Sequence, residues 1–197
     1  MEVERFSHRA MKVKIVIGKV IYQFFSVYAP QVGRSDEEKN KFWQKLEDEV
    51  AGSSGEEGAI VGGDMNSHIG AMRVGYEEVV GCFGYGVHNR EGMAILYFCR
   101  NQNLVVLNTL FKKDREKYII YKSGDAETQL DLILMRKGRD IQATDCKVIP
   151  GEACLSQHRL VCANIQFKHF KKKLWKGEKK ISVWKLKDKW KDKCMER

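Results

Sequence analysis

From Met11 to Ile17, lysines alternate with Val and Ile, a period of two that predicts a strand with one buried face. Gly18-Lys19 supplies a tight turn, and Val20 to Val27 continues as a second strand. Pro30 ends it, because proline donates no ladder hydrogen bond. The period then changes. Ser35 followed by Asp36-Glu37-Glu38 is a helix start that places acids against free N–H groups. Phe42, Trp43, Leu46 and Val50 recur at helical spacing until Gly52-Ser53-Ser54-Gly55. Ala59-Ile60-Val61 is a short buried strand running into Gly62-Gly63. A second helix is predicted from Glu91 to Arg100, ahead of a strand from Leu104 to Leu107. Further strands are expected at Lys117–Tyr121, Gln129–Met135, Thr144–Ile149 and Arg159–Phe167. Strands alternating with a few helices predict an α/β sandwich.

The pattern breaks at Lys168. From Lys168 to Lys180 runs a lysine-rich stretch interrupted by Phe170, Leu174 and Trp175. Val183, Leu186, Trp190 and Cys194 then fall at helical spacing with lysines around the rest of the wheel, which describes a basic amphipathic helix. Charge draws the same boundary. The chain of 197 residues carries a net +9, and its last thirty residues hold 13 Lys and Arg against 4 Asp and Glu. Residues 1–167 hold 22 of each sign, so a neutral body (1–167) carries a basic Lys/Trp-rich tail (168–197).

Composition narrows the class further. No window approaches eighteen uninterrupted apolar residues, so no membrane span is expected. Met1-Glu2-Val3-Glu4-Arg5 lacks the layout of a signal peptide. Six scattered cysteines without CxxC spacing read as reduced thiols of an intracellular protein, nuclear or cytoplasmic.

Three places carry candidate chemistry. Gly62-Gly63-Asp64-Met65-Asn66 leaves a sheet, and alternation puts Asp64 and Asn66 on one side with Met65 on the other. A carboxylate beside an amide can hold a water against phosphorus; the same residues also make an ordinary turn. Asp131 lies within the apolar run Leu130–Met135. It either pairs with a cation or backbone donor, or holds a histidine in one tautomer. His158, in Ser156-Gln157-His158-Arg159, precedes the last strand of the body; Cys154, His158 and Cys162 read C-x3-H-x3-C, a spacing that matches no common zinc knuckle.

In order, the chain presents Val27-Tyr28-Ala29-Pro30 with Arg34 beyond, Gly63-Asp64-Met65-Asn66, Gln129-Leu130-Asp131 and Ser156-Gln157-His158-Arg159. This set resembles the endonuclease/exonuclease/phosphatase superfamily, the DNase I-like proteins. The block from Asn89-Arg90-Glu91-Gly92 through Leu104-Val105-Val106-Leu107-Asn108-Thr109-Leu110-Phe111 resembles its LINE-type retrotransposon branch. The resemblance spans about Met11 to Phe167. It implies a DNase I-like β-sandwich flanked by helices, a basic helical tail, and hydrolysis of DNA phosphodiesters with Mg²⁺ or Mn²⁺. On that likeness Asp64 would orient or deprotonate the attacking water, and Asn66 would hold the phosphate. His158 would stabilise the charged oxygen and Asp131 would fix His158. Tyr28 would donate to a phosphate oxygen or assist the leaving group, and Arg34 would touch the backbone.

Departures from the family imply weak catalysis or none. Only 27 residues precede Tyr28, and they contain neither the family's early asparagine nor its metal-binding glutamate, so an N-terminally truncated sandwich with an uncovered edge or face is expected. Gln157 stands where the family has an aspartate and supplies no negative charge for a hard cation. Mg²⁺ or Mn²⁺ binding is therefore expected to be weak or absent. The alternative function is a non-catalytic module. In it, tail residues such as Lys171, Lys172, Lys173 and Trp175 hold nucleic acid by charge neutralisation and stacking, or the helix meets an acidic protein partner or an anionic membrane surface. A solvated linker toward a further domain is the plainest account of the same lysines.

Overall fold

The computed structural model describes residues 1–53, 57–71, 73–123, 126–138, 141–153 and 158–167. The tail, with Lys171, Lys172, Lys173 and Trp175, and the loop holding Cys154 and Gln157 lie outside the described residues.

Among the described residues, ten strands and two α-helices follow in the order β1 (Glu2–Ser7), β2 (Ala10–Ile17), β3 (Val20–Tyr28), α1 (Asp36–Ala51), β4 (Gly58–Asp64), α2 (Arg90–Asn101), β5 (Leu104–Val106), β6 (Tyr121–Ser123), β7 (Ala126–Thr128), β8 (Asp131–Arg136), β9 (Ile141–Ala153) and β10 (Arg159–Phe167). The larger sheet has the order β1-β2-β3-β4-β8-β5. Its one parallel pair is β3 with β4, the pair joined through α1. The second layer is built from the β9–β10 and β6–β7 ladders. The two meet where Tyr121 bridges His158 and the Arg159 N–H donates to the Ile120 carbonyl at 2.9 Å.

Two cores lie on opposite faces of the large sheet. Toward the helices, Phe25, Val27, Val61, Leu132 and Leu134 pack with Phe42, Leu46 and Val50 of α1 and Ile95, Leu96 and Cys99 of α2. Toward the second sheet, Tyr22, Ile60, Leu107 and Met135 meet Ile141 and Cys146, with Val161, Ile165 and Phe167 of β10 against them. The Tyr22 and Phe167 rings meet edge-on at 4.6 Å. Over β1 and β2 this inner face is thinly covered: Val3 is 56 % exposed, and Met11, Val13 and Ile15 are only half-buried.

Local signals were read correctly where side chains act on their own backbone. Ser35 caps α1 by accepting from the Glu38 N–H, and Asn89 caps α2 by accepting from Gly92 N–H at 2.8 Å. Two expectations are corrected. The strand expected at Lys117–Tyr121 is instead a 3-10 turn, Arg115–Lys117, followed by the short β6. Gln129 and Leu130 precede β8 rather than belonging to it. The edge strand β1 was not anticipated, because its exposed residues lack an apolar period.

Alternation also buries Lys12 on the helix side, 8 % exposed. Its Nζ lies 2.7 Å from Glu49 of α1 and 3.1 Å from Glu4 of β1, tying the edge strand to the helix layer. The hydrogen bond from Lys12, working against burial, holds the Glu49 carboxyl below its usual range. Its stabilisation is present above the ordinary glutamate pKa and fades as pH falls through the lower folded-state value. Glu49→Gln is expected to cost roughly 1–3 kcal/mol in chemical denaturation at pH 7 and progressively less in acid, whereas Lys12→Met should cost less than Glu49→Gln at pH 7.

Candidate active site

Three adjacent strands end in one row. Tyr28 of β3 is register-paired with Asp64 of β4, and Asp64 with Asp131 of β8. Paired positions share a face of a sheet. Alternation puts Ile60 and Asp64, and likewise Asp131, Ile133 and Met135, on the face toward the second sheet. Ile60, Ile133 and Met135 belong to the core between the sheets, so the polar row stands at one end of it. His158 arrives there from the facing layer, immediately before β10. Its Nδ1 is 3.1 Å from Asp131 Oδ2, and its ring meets Tyr121 edge-on at 5.1 Å. An ionised carboxylate can only accept, which puts the imidazole proton on Nδ1 and leaves Nε2 free to turn toward a ligand.

The Gly62-Gly63 step makes the row possible. Gly63 has φ 149°, and a Cβ there would stand 1.8 Å from the Val27 carbonyl oxygen, so no larger residue fits between β3 and β4. Beyond Asp64 the strand stops. Asn66 takes a left-handed φ of 47°, a conformation that asparagine tolerates. Its N–H donates to Asp64 Oδ1 at 2.8 Å, and its Nδ2 donates to the Ala29 carbonyl at 2.8 Å. The turn reading of this stretch therefore holds. Asn66 returns to Asp64 by a side-chain-closed turn rather than by strand alternation, while Met65 points into the helix-side core, fully buried.

Burial, reinforced by the Asp131 charge, pushes the Asp64 carboxyl above the usual aspartate range, against the lowering effect of the Asn66 N–H and of His158. A carboxylate that holds its proton more tightly is a better proton acceptor when ionised. Donor atoms of Asp64, Asp131 and His158 all lie within 4.8 Å of one another, the group among the described residues that could hold a metal ion. Two donors facing each other across a Mg²⁺ ion stand about 4.2 Å apart, so this spread suits a divalent cation after slight closure. Two carboxylates and an imidazole suit Mn²⁺ as well.

Tyr28 keeps its place in the row and is 45 % exposed, leaving its face toward solvent accessible; Arg9 lies over its ring at 5.6 Å. Arg34 stands on the exposed turn closed by its N–H to the Gln31 carbonyl. Of the C-x3-H-x3-C set, Cys154 lies outside the described residues, His158 faces Asp131, and Cys162 is register-paired with Lys147. Two neighbours of the site went unread in the sequence. Tyr121 sits in a hairpin that the local pattern concealed. Asn108 is 5 % exposed, and its one signal was an amide inside the apolar run Leu104–Phe111.

A two-layered sandwich with helices outside is the fold of solved endonuclease/exonuclease/phosphatase proteins. The chain aligns with a protein of that family from Leptotrichia buccalis at TM-score 0.53 and 16 % identity, over 80 % of this chain and 54 % of that one. The endonuclease domain of TRAS1, a telomere-specific non-LTR retrotransposon, aligns at TM-score 0.57 and 14 % identity, over 85 % and 68 %. D. rerio TDP2 complexed with single-strand DNA product aligns at TM-score 0.53 and 10 % identity, over 84 % and 67 %. In sequence the chain is similar to craniofacial development protein 2 of Bos taurus, 28 % identical over 144 residues. That match takes in 72 % of this chain but spans about a quarter of the relative, 24 % of its length. No protein-family profile matches the chain. Among the described residues, no helix is long and apolar enough to cross a membrane.

Because the folded state disfavours ionised Asp64, removing that charge should stabilise the protein where the wild-type group is charged. Asp64→Asn is expected to raise the melting temperature by about 2 °C at pH 7. The gain should shrink as pH falls through the raised folded-state pKa, where the wild-type carboxyl is already neutral. Thermal melts across pH check this, and a gain that grows in acid contradicts it.

Proposed function

We propose that this chain is a nuclease-type domain that grips a nucleic-acid phosphodiester at Asp64, Asn66, Asp131 and His158, with weak or no hydrolysis. The observation that carries the reading is the convergence of Asp64, Asp131 and His158 from three strand ends, with Nδ1 of His158 held by Asp131. In it, Asp64 receives the proton of the attacking water, and the amide of Asn66 offers its remaining donor to a nonbridging oxygen. In its imidazolium form His158 would present Nε2–H to the oxygen on which charge develops, Asp131 accepts from Nδ1–H and supports that charge, and the Tyr28 hydroxyl donates from the rim. Mg²⁺ or Mn²⁺, held by the carboxylates of Asp64 and Asp131, would supply positive charge to those oxygens. Gln157, the neutral neighbour of His158, adds no charge to this set, which supports weak metal retention. A DNA partner is supported by the basic tail and by the likeness to a solved protein–DNA complex. The retrotransposon branch is supported by the likeness to TRAS1.

Two measurements on the full chain test this. Duplex DNA binding should weaken steeply as salt rises, and joint replacement of Lys171, Lys172 and Lys173 by Ala should reduce the slope of log affinity against log salt by about 3. Plasmid nicking with Mg²⁺ or Mn²⁺ should be slight. Robust nicking abolished by His158→Ala would overturn the impaired reading, and salt-insensitive or absent DNA binding would overturn the nucleic-acid reading.

A further inference from the structure

Strand β8 carries Asp131 at its first residue, and its two edges are held differently. On one side β4 pairs with it all the way from Met135 to Asp131. On the other, β5 pairs with it only from Arg136 to Leu134, against Leu104, Val105 and Val106. The chain then leaves the ladder in a 3-10 turn, Leu107–Thr109. Among the described residues, three positions of β8, including the one that bears the carboxylate, have no strand beside them on that side.

The side chain of Asn108 fills the place. Its Nδ2 donates to the Asp131 carbonyl at 3.1 Å, and its Oδ1 accepts from the Ile133 N–H at 2.9 Å. One amide thus satisfies the two backbone groups that flank Leu132 on the edge of β8 that β5 leaves open. Asn108 is 5 % exposed, and both of its polar ends are used. A primary amide is the side chain suited to this, since it offers a donor and an acceptor side by side.

We infer that Asn108 is a positioning residue for the site: it extends the β5 edge by one side-chain amide and so fixes the backbone of Asp131. The Asp131 carboxylate then meets His158 Nδ1 and stands beside Asp64. This rests on the proposed phosphodiester site for its functional meaning, but the contact itself can be tested apart from cleavage or DNA binding. Neighbouring Thr109 supplies the control. It holds the same turn through its Oγ1, which donates to the Val106 carbonyl at 2.8 Å and accepts from the Gly81 N–H at 2.7 Å. Neither bond reaches β8.

The experiment follows the His158 Nδ1–H proton by NMR in the ¹⁵N-labelled full chain at fixed pH, in wild type, Asn108→Leu, Asn108→Asp and Thr109→Val. Asn108→Leu removes both bonds, and Asn108→Asp keeps the acceptor for Ile133 while losing the donor toward Asp131. In both Asn108 variants the downfield, hydrogen-bonded resonance is expected to shift upfield or vanish into exchange with water. In Thr109→Val it should persist despite lower stability. If Asn108→Leu does not fold, Asn108→Asp decides. An unchanged resonance in a folded Asn108 variant overturns the inference, and so does equal loss in Thr109→Val, which would mean only that the turn supports the sheet. Titration with Mn²⁺ alone gives a second reading, an expected 10–100-fold loss of affinity in the Asn108 variants, about the usual effect of removing a group that orients a ligand. No Mn²⁺ uptake by the wild type would count against the proposed metal site and leave the resonance to decide on Asn108.

Discussion

The close approach of Gly63 to the Val27 carbonyl is the constraint on which the site depends. It lets β4 lie against β3 in parallel register up to Asp64 while pairing on its other edge with β8 down to Asp131. Strands in a sheet stand about 4.8 Å apart, so one register error of a single residue would turn a carboxylate to the helix side. A side chain at Gly63 would force the two backbones apart, and the row Tyr28–Asp64–Asp131 would not form.

Two carboxylates on adjacent strands repel, and the fold answers that repulsion on three sides. The Asn66 N–H bonds to Asp64, His158 bonds to Asp131, and the backbone beneath Asp131 is clamped by β4 and by the Asn108 amide. Burial still leaves Asp64 reluctant to ionise. The cluster is thus held at some cost to stability, as it would be in the proposed phosphodiester site. The ion pairs of Lys12 are a contrasting use of charge, spent on fastening an edge strand to the helix layer.

Coverage of the large sheet differs along its width. Helices cover one face over Ala10, Phe25, Val27, Val61, Leu132 and Leu134, whereas the second layer covers β3, β4 and β8 and leaves Val3, Met11, Val13 and Ile15 partly open. The site lies on the covered side, where His158 can be delivered from the facing layer.

Much of this molecule is legible in its residue order. Period-two runs and the caps Ser35 and Asn89 marked most elements, because those signals act between near neighbours along the chain. Asp64, Asn66, Asp131 and His158 were visible as polar residues at apolar strand ends. What the order of residues left open was decided by contacts between distant segments. The edge strand β1 depends on pairing with β2, and the hairpin β6–β7 depends on the layer that β10 completes. The role of Asn108 appears only because β5 stops short of Asp131 and leaves two backbone groups to be satisfied. Local periodicity reports which face a residue turns to the core; only tertiary packing determines which distant polar group it finds there, since that depends on strand order and register.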